Sequence, residues 1–204
     1  GETVFFDLRI ALTRDCLIPR ADTEFVCEKA LSLLPENARA ADLCTGSGCI
    51  AIVLAKHGGA HVFACDISAG AIEKAKENAE ANGVSALTEF SVADVKSDVL
   101  NGKYDMIISN PPYIRTVDIA GLGESIGYEP YIALDGGGDG MDFYRAILRY
   151  APSHLKTDGK IIFEIGYDEE TEIKNLAASF GLGCEVFRDY GGNPRAAVIF
   201  RKEE

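Results

Sequence analysis

Apolar residues along this chain change their period several times, and the changes mark its elements. Between Val4 and Leu12 they alternate with polar ones, which predicts a hairpin or short strands. From Asp22, placed to cap a helix, the spacing becomes helical through Phe25, Val26, Ala30, Leu33 and Leu34, and Pro35 stops it. Short apolar runs then alternate with helical stripes. Arg39 to Cys44 predicts a strand, Cys49 to His57 a helix, and His61 to Cys65 a strand that ends at Asp66. Ser68 caps a helix with the stripe Ala71, Ile72, Ala75 and Ala79, ended by Asn82-Gly83. Strands follow at Thr88 to Ala93, ending at Asp94, and at Tyr104 to Ser109, whose centre Met106-Ile107-Ile108 reads as buried on both faces. A helix from Asp142 to Tyr150, a strand from Lys160 to Ile165, a helix from Glu169 to Phe180 and strands at Cys184 to Arg188 and Ala196 to Phe200 complete the pattern. Strands separated by helices imply a mostly parallel sheet covered on both faces. The segment Asp189 to Arg195 is too short for a helical crossover, so the last two strands should be antiparallel.

Composition narrows the partners. The 204 residues suit one domain, or one with a small appendage, and the 47% hydrophobic content supplies a core. A net charge of -12 would repel a phosphate backbone, so it favours a protein or small-molecule substrate over nucleic acid. Six cysteines without a C-x-x-C pair read as buried small hydrophobes in a reducing cytosol, which predicts a cytoplasmic protein. His57, His61 and His154 form no zinc pattern, so no metal is expected. No apolar run is long enough to span a bilayer, and no membrane partner is expected.

The chemistry gathers where strands end, the place at which doubly wound sheets bind ligands. The first sheet strand runs into Asp42-Leu43-Cys44-Thr45-Gly46-Ser47-Gly48, whose glycines let backbone approach a ligand closely. Asp66 is suited to accept from two vicinal ribose hydroxyls, and Asp94 from an adenine amine; Ile67 and Val95 follow them beside the cofactor. Gly46, Gly48 and Ala51 also fit a loose dinucleotide fingerprint. Asp42, a carboxylate suited to an ammonium rather than a pyrophosphate, turns the reading towards S-adenosylmethionine, with S-adenosylhomocysteine as product. The fourth strand ends in Asn110-Pro111-Pro112-Tyr113. Stiff prolines and the Asn carbonyl offer two acceptors for the hydrogens of an –NH2 group, and Tyr113 packs on its flat face. Asn110 therefore borders both cofactor and substrate. This geometry suits a glutamine amide and an adenine amine equally.

The flanks separate the two. Leu17-Ile18-Pro19-Arg20-Ala21-Asp22-Thr23-Glu24, then Tyr128-Glu129-Pro130, Ala133-Leu134-Asp135-Gly136-Gly137, Asp139-Gly140, Phe163-Glu164-Ile165-Gly166 and Asp189-Tyr190-Gly191-Gly192-Asn193-Pro194-Arg195 together resemble the HemK/PrmC protein-(glutamine-N5) methyltransferases across essentially the whole chain. The resemblance implies a class I S-adenosylmethionine-dependent methyltransferase fold of the Rossmann-like α/β kind, with a mostly parallel seven-stranded sheet, an antiparallel strand near the C-terminus and a short N-terminal hairpin and helix. It implies methylation of the glutamine in the Gly-Gly-Gln motif of class 1 peptide release factors, by a monomer. Cys44 to Gly48 and Asp66 would bind the cofactor, Asn110 to Tyr113 the glutamine, and Glu129 would order the loop over it. Three positions depart from the family pattern: Ala21 for Pro, Val95 for an aromatic residue, and Cys44 for the first Gly of the loop. The family's N-terminal helical domain is expected to be absent, leaving a hairpin and helix at 1–37 and the methyltransferase domain at 38–204. Two other readings share the pocket: an adenine-N6 methyltransferase acting on nucleic acid, and a non-catalytic binding module. Arg20 and Thr23 are candidates for the cofactor entrance, and the glycines from Gly136 to Gly140 read as a phosphate cradle or a loop before a helix.

Overall fold

A computed structural model describes residues 1–121 and 129–202; Tyr128, quoted above, lies outside them. Strands β1 (Glu2–Phe5) and β2 (Leu8–Ala11) form the antiparallel hairpin, and α1 (Ala21–Leu33) follows. Next come β3 (Arg39–Leu43), α2 (Cys49–Gly58), β4 (His61–Asp66), α3 (Ala69–Ala81), β5 (Thr88–Val92) and β6 (Tyr104–Ser109). A short α4 (Thr116–Ile119), α5 (Asp142–Leu148), β7 (Leu155–Glu164), α6 (Glu170–Ser179), β8 (Leu182–Arg188) and β9 (Pro194–Arg201) complete the order. Seven strands pair as β5-β4-β3-β6-β7-β9-β8. Only β9 runs against its neighbours, seated between β7 and β8, as the short final connection requires.

The alternation along each strand divides the core. Met106 and Ile108 face the cluster built with α1, α2 and α3, whereas Ile107 faces the cluster built with α5 and α6. Phe5 and Ile10 of the hairpin join the first cluster, so the hairpin and α1 share a core with α2 and α3. Reversal of the sheet order beside β3 leaves a crevice at the strand ends between β3 and β6, where both motifs emerge.

Two local expectations change. Asp22 does not cap α1: Arg20 occupies the N-cap without a side-chain cap, and Asp22 lies within the first turn, paired with Arg195 at 3.1 Å. An acid is stabilised there by the helix dipole whether or not it caps. Strand β7 begins at Leu155 rather than Lys160, because Leu155 pairs with Tyr104 ahead of a register shift and the polar stretch before Lys160 hides the strand from the apolar pattern.

Candidate active site

A cavity of about 420 Å³ opens over the ends of β3, β4 and β5. Its floor is the loop after β3, where Cys44 (φ 61°) and Gly46 (φ 54°) both take the left-handed conformation. A Cβ built on Gly46 meets no atom within 4 Å, so the space beside this backbone belongs to the cavity. Cys44 holds a conformation that favours glycine. Asp66 also lines the cavity, its two oxygens accepting from Gly46 N (2.8 Å) and Ser68 N (3.0 Å). Burial raises its carboxyl above the ordinary range, against the pull of these N–H donors. Thr45, Ser47, Ile67, Asp94 and Val95 stand on the same lining. Asp94 accepts from Lys96 N at 2.9 Å, which turns the chain after β5.

Two residues expected at the cofactor do not line this cavity. Asp42 is wholly buried beneath it, accepting from Thr45 Oγ1 at 2.5 Å and Ala51 N at 3.1 Å. Burial pushes its carboxyl up to about 7, so it braces the loop onto α2 rather than facing a ligand's ammonium. Gly48 (φ 82°) starts α2, and a Cβ there would lie 2.9 Å from Ala75 Cβ; its bareness serves helix packing.

Beside the first cavity lies a smaller one of about 130 Å³, lined by Pro111, Tyr113, Ile114, Leu134 and Arg20 among others. Asn110 borders both cavities, while Pro112 faces the larger. The four motif residues are thus divided between two chambers that share Asn110, Leu17 and Ala133. Asn110 Nδ2 donates to Thr23 Oγ1 at 3.2 Å, which leaves Oδ1 as the free acceptor. Burial, then the field of Glu164, pushes the Tyr113 hydroxyl up, so it stays a donor, 3.5 Å from Glu164 Oε1. Glu129 lines neither cavity. Its buried carboxylate accepts from Ile18 N (3.3 Å) and from Arg20 (2.8 and 3.1 Å), clamping the segment before α1 beside the smaller chamber.

Residues 25–125 match the family model described as Methyltransferase small domain. The chain is 41% identical over 198 residues to the release factor glutamine methyltransferase of Cereibacter sphaeroides, covering 96% of this chain and 70% of that protein. To the release factor glutamine methyltransferase of Moorella thermoacetica it is 39% identical over 209 residues, covering 100% of this chain and 74% of that protein. The chain belongs to the release factor glutamine methyltransferase family. A crystal structure of a methyltransferase from Pyrococcus furiosus shares the fold, with a TM-score of 0.72 at 23% identity over 96% of this chain and 89% of that one.

Within this family member the glycines from Gly136 to Gly140 form the expected loop before a helix, α5, and two of them have a further packing role. A Cβ on Gly136 would lie 2.6 Å from Tyr113 Cα, and one on Gly140 would lie 2.5 Å from Tyr113 O. Ile114 N donates to Leu134 O and Gly136 N to Ile114 O, so this loop forms a bare backbone shelf against Tyr113 and Ile114. The shelf supports the backbone of Tyr113 and Ile114. Asp15, Lys96, Tyr131, Ile132 and Phe143 line the larger cavity without having been singled out from sequence. Phe143 brings an aromatic ring to the lining where Val95 does not, and Lys96 Nζ sits 4.7 Å over it. Only the aromatic residue one step into the α5 pattern hinted at Phe143.

Proposed function

We propose that this chain transfers a methyl group from S-adenosylmethionine to the side-chain amide nitrogen of the glutamine in the Gly-Gly-Gln motif of class 1 release factors. The placement of Asn110 on the wall shared by two cavities carries this reading. The larger cavity suits a cationic nucleoside. Among the described residues its lining includes Asp15, Asp66, Asp94 and Asp135 against one cation, Lys96, a set that would repel the pyrophosphate of a dinucleotide. Open backbone at Gly46 and the strand-end Asp66 give such a nucleoside a cradle and a ribose acceptor.

S-adenosylmethionine would supply an electrophilic methyl on a positive sulfur. An amide nitrogen is a poor nucleophile because its lone pair is delocalised, so position matters most. Asn110 Oδ1 and a proline carbonyl of the motif accept its two hydrogens and aim the lone pair across the shared wall. With that cofactor bound, nitrogen–carbon bond formation would leave the carbon–sulfur electron pair on sulfur and a positive charge on the nitrogen that this chain's acceptors face. Both acceptors then hold its hydrogens more strongly, which stabilises the transition state over the ground state. The surplus proton leaves to solvent afterwards.

Methyl-labelled S-adenosylmethionine incubated with the protein and either release factor or unmodified nucleic acid tests this. Label is expected in the release factor glutamine. Label appearing only in nucleic acid would replace the reading with an exocyclic-amine methyltransferase. Tight cofactor binding with transfer to neither would favour a non-catalytic module.

A further inference from the structure

Helix α3 lies between the N-terminal hairpin and the loop after β3 that floors the larger cavity, and one buried amide on it bonds to both. Strand β2 pairs with β1 along one edge. At its other edge α3 takes the place of a further strand. Ala11 N donates to Asn78 Oδ1 at 2.9 Å, and Asn78 Nδ2 donates to Ala11 O at 3.0 Å. One turn on, at the end of α3, Asn82 Nδ2 donates to Arg9 O at 3.0 Å. Asn78 is 2% exposed, and its Nδ2 gives a second hydrogen bond, 2.9 Å to Ser47 O in the loop. Near the start of α3, a Cβ built on Gly70 would lie 2.7 Å from Asp15 Oδ2. The chain from Arg9 to Asp15 is therefore laid along α3, and Asp15 and Leu17 go on to line the cavity.

A side-chain amide has two N–H donors and one carbonyl acceptor. All three are engaged at Asn78, and their direction is fixed by the partners. Ala11 N only donates, so Oδ1 must face it, which aims both hydrogens at the carbonyls of Ala11 and Ser47. Ser47 stands between Gly46 (φ 54°) and Gly48 (φ 82°), the residue type with the widest backbone freedom. The bond to its carbonyl thus restrains the most pliable stretch of the cavity floor. Building on the S-adenosylmethionine reading above, we infer that Asn78 is a positioning residue for the cofactor loop, and that through it the N-terminal hairpin sets the affinity of the cavity for the cofactor. The hairpin is then part of the cofactor site although β1 and β2 do not line it. Asn82 grips the same strand without bonding to the loop, so it separates this role from plain hairpin stability.

Two readouts test this. The first needs no ligand. The amide resonance of Gly48, whose nitrogen is bonded to the Ser47 carbonyl carbon, reports the hydrogen bond to that carbonyl. It should move in Asn78→Ala and in Asn78→Asp, which keeps the shape but loses both N–H donors. It should also move in Ala11→Pro, which deletes the N–H that faces Asn78 at an edge position where proline is tolerated. In Asn82→Ala it should stay in place. The second is titration with S-adenosylhomocysteine. Asn78→Ala and Asn78→Asp should raise its Kd by about 3- to 10-fold, the loss of one oriented hydrogen bond, and Ala11→Pro should raise it in the same direction. Asn82→Ala should leave Kd unchanged whatever stability it loses. A Gly48 resonance unmoved in Ala11→Pro, or a Kd raised as much by Asn82→Ala as by Asn78→Ala, would overturn the inference. Wild-type protein that does not bind S-adenosylhomocysteine would instead sink the cofactor assignment, while the Gly48 resonance still decides whether the hairpin reaches the loop.

Discussion

Gly136 and Gly138 are two residues apart and chemically identical, yet substitution should separate them widely. A methyl at Gly136 would collide with Tyr113 Cα and carbonyl carbon at 2.6 and 2.7 Å, whereas one at Gly138 meets nothing within 4 Å. Backbone cannot rotate aside as a side chain does, so Gly136→Ala must displace the substrate motif. We predict a loss of stability of about 1–3 kcal/mol, typical of overpacking, and a larger loss in kcat than in cofactor affinity. Gly138→Ala should match wild type in both. Denaturant titration with steady-state kinetics on the pair checks this, and equal behaviour of the two variants would contradict the shelf. From sequence the glycine run was visible but its partner was not. Tyr113 lies more than twenty residues away, and no periodicity encodes which backbone presses against a bare Cα.

The segment leading into α1 is held by the carboxylate of Glu129, which is 3% exposed, and by Arg20, which is 49% exposed. Such an asymmetric pair is worth more when broken than when counted, because removal of Arg20 leaves a buried charge with Ile18 N as its remaining donor among the described residues. Leu17 borders both cavities and Pro19 the larger one, so freeing the segment loosens both walls. Arg20→Ala should therefore cost about 1–3 kcal/mol of stability and raise both the cofactor Kd and the KM for the protein substrate. Arg20→Lys should recover only part, since an ammonium replaces a fork that reaches both oxygens. Cofactor titration together with kinetics tests the clamp, and an Arg20→Ala enzyme with both constants intact would disprove it. Both partners were legible as motif residues, but 109 positions separate them. Arg20 had been placed at the cofactor entrance; it borders the smaller chamber instead.

Across the whole molecule, burial brings three carboxyls close to neutrality. Asp42, Glu164 and Glu169 are each pushed up to about 7 by burial, against the hydrogen bonds that partly restrain them. A carboxyl whose folded value exceeds its unfolded one binds more protons when folded, so its contribution to stability falls as pH rises. The effect operates between the ordinary carboxylate range near ~4 and about 7. Relief of self-repulsion in a chain of net charge -12 acts in the same direction. At the acid end Asp139, lowered to about 2 by its hydrogen bond to Arg145, works oppositely and loses its contribution as pH falls below the usual range. The melting temperature should accordingly rise as pH is lowered from about 8 towards about 5 and drop again below about 4. Asp42→Asn should flatten the first slope. A melting temperature that climbs steadily from acid to pH 8 would refute this account.

Local periodicity carried most of the architecture. Period-2 and period-3.6 apolar spacing depends on the residues themselves, so the strands, their order along the chain and the acids and motifs at their ends were readable before any contact was known. The antiparallel β9 followed from a connection too short to cross the sheet. Chemical role was less legible wherever it depended on burial. Asp42 and Asp66 are the same residue type at the ends of adjacent strands, yet one is sealed under α2 and the other opens on the cavity. Asn110 was identifiable as an amine holder. Its position between two chambers and its hydrogen bond to Thr23 arise from α1 and the end of β6 meeting in space. Sequence by itself determined which groups are present and on which elements. Tertiary structure alone decided which face water, which face each other and in which direction their protons point, because dielectric environment and hydrogen-bond partners are set by residues distant in the chain.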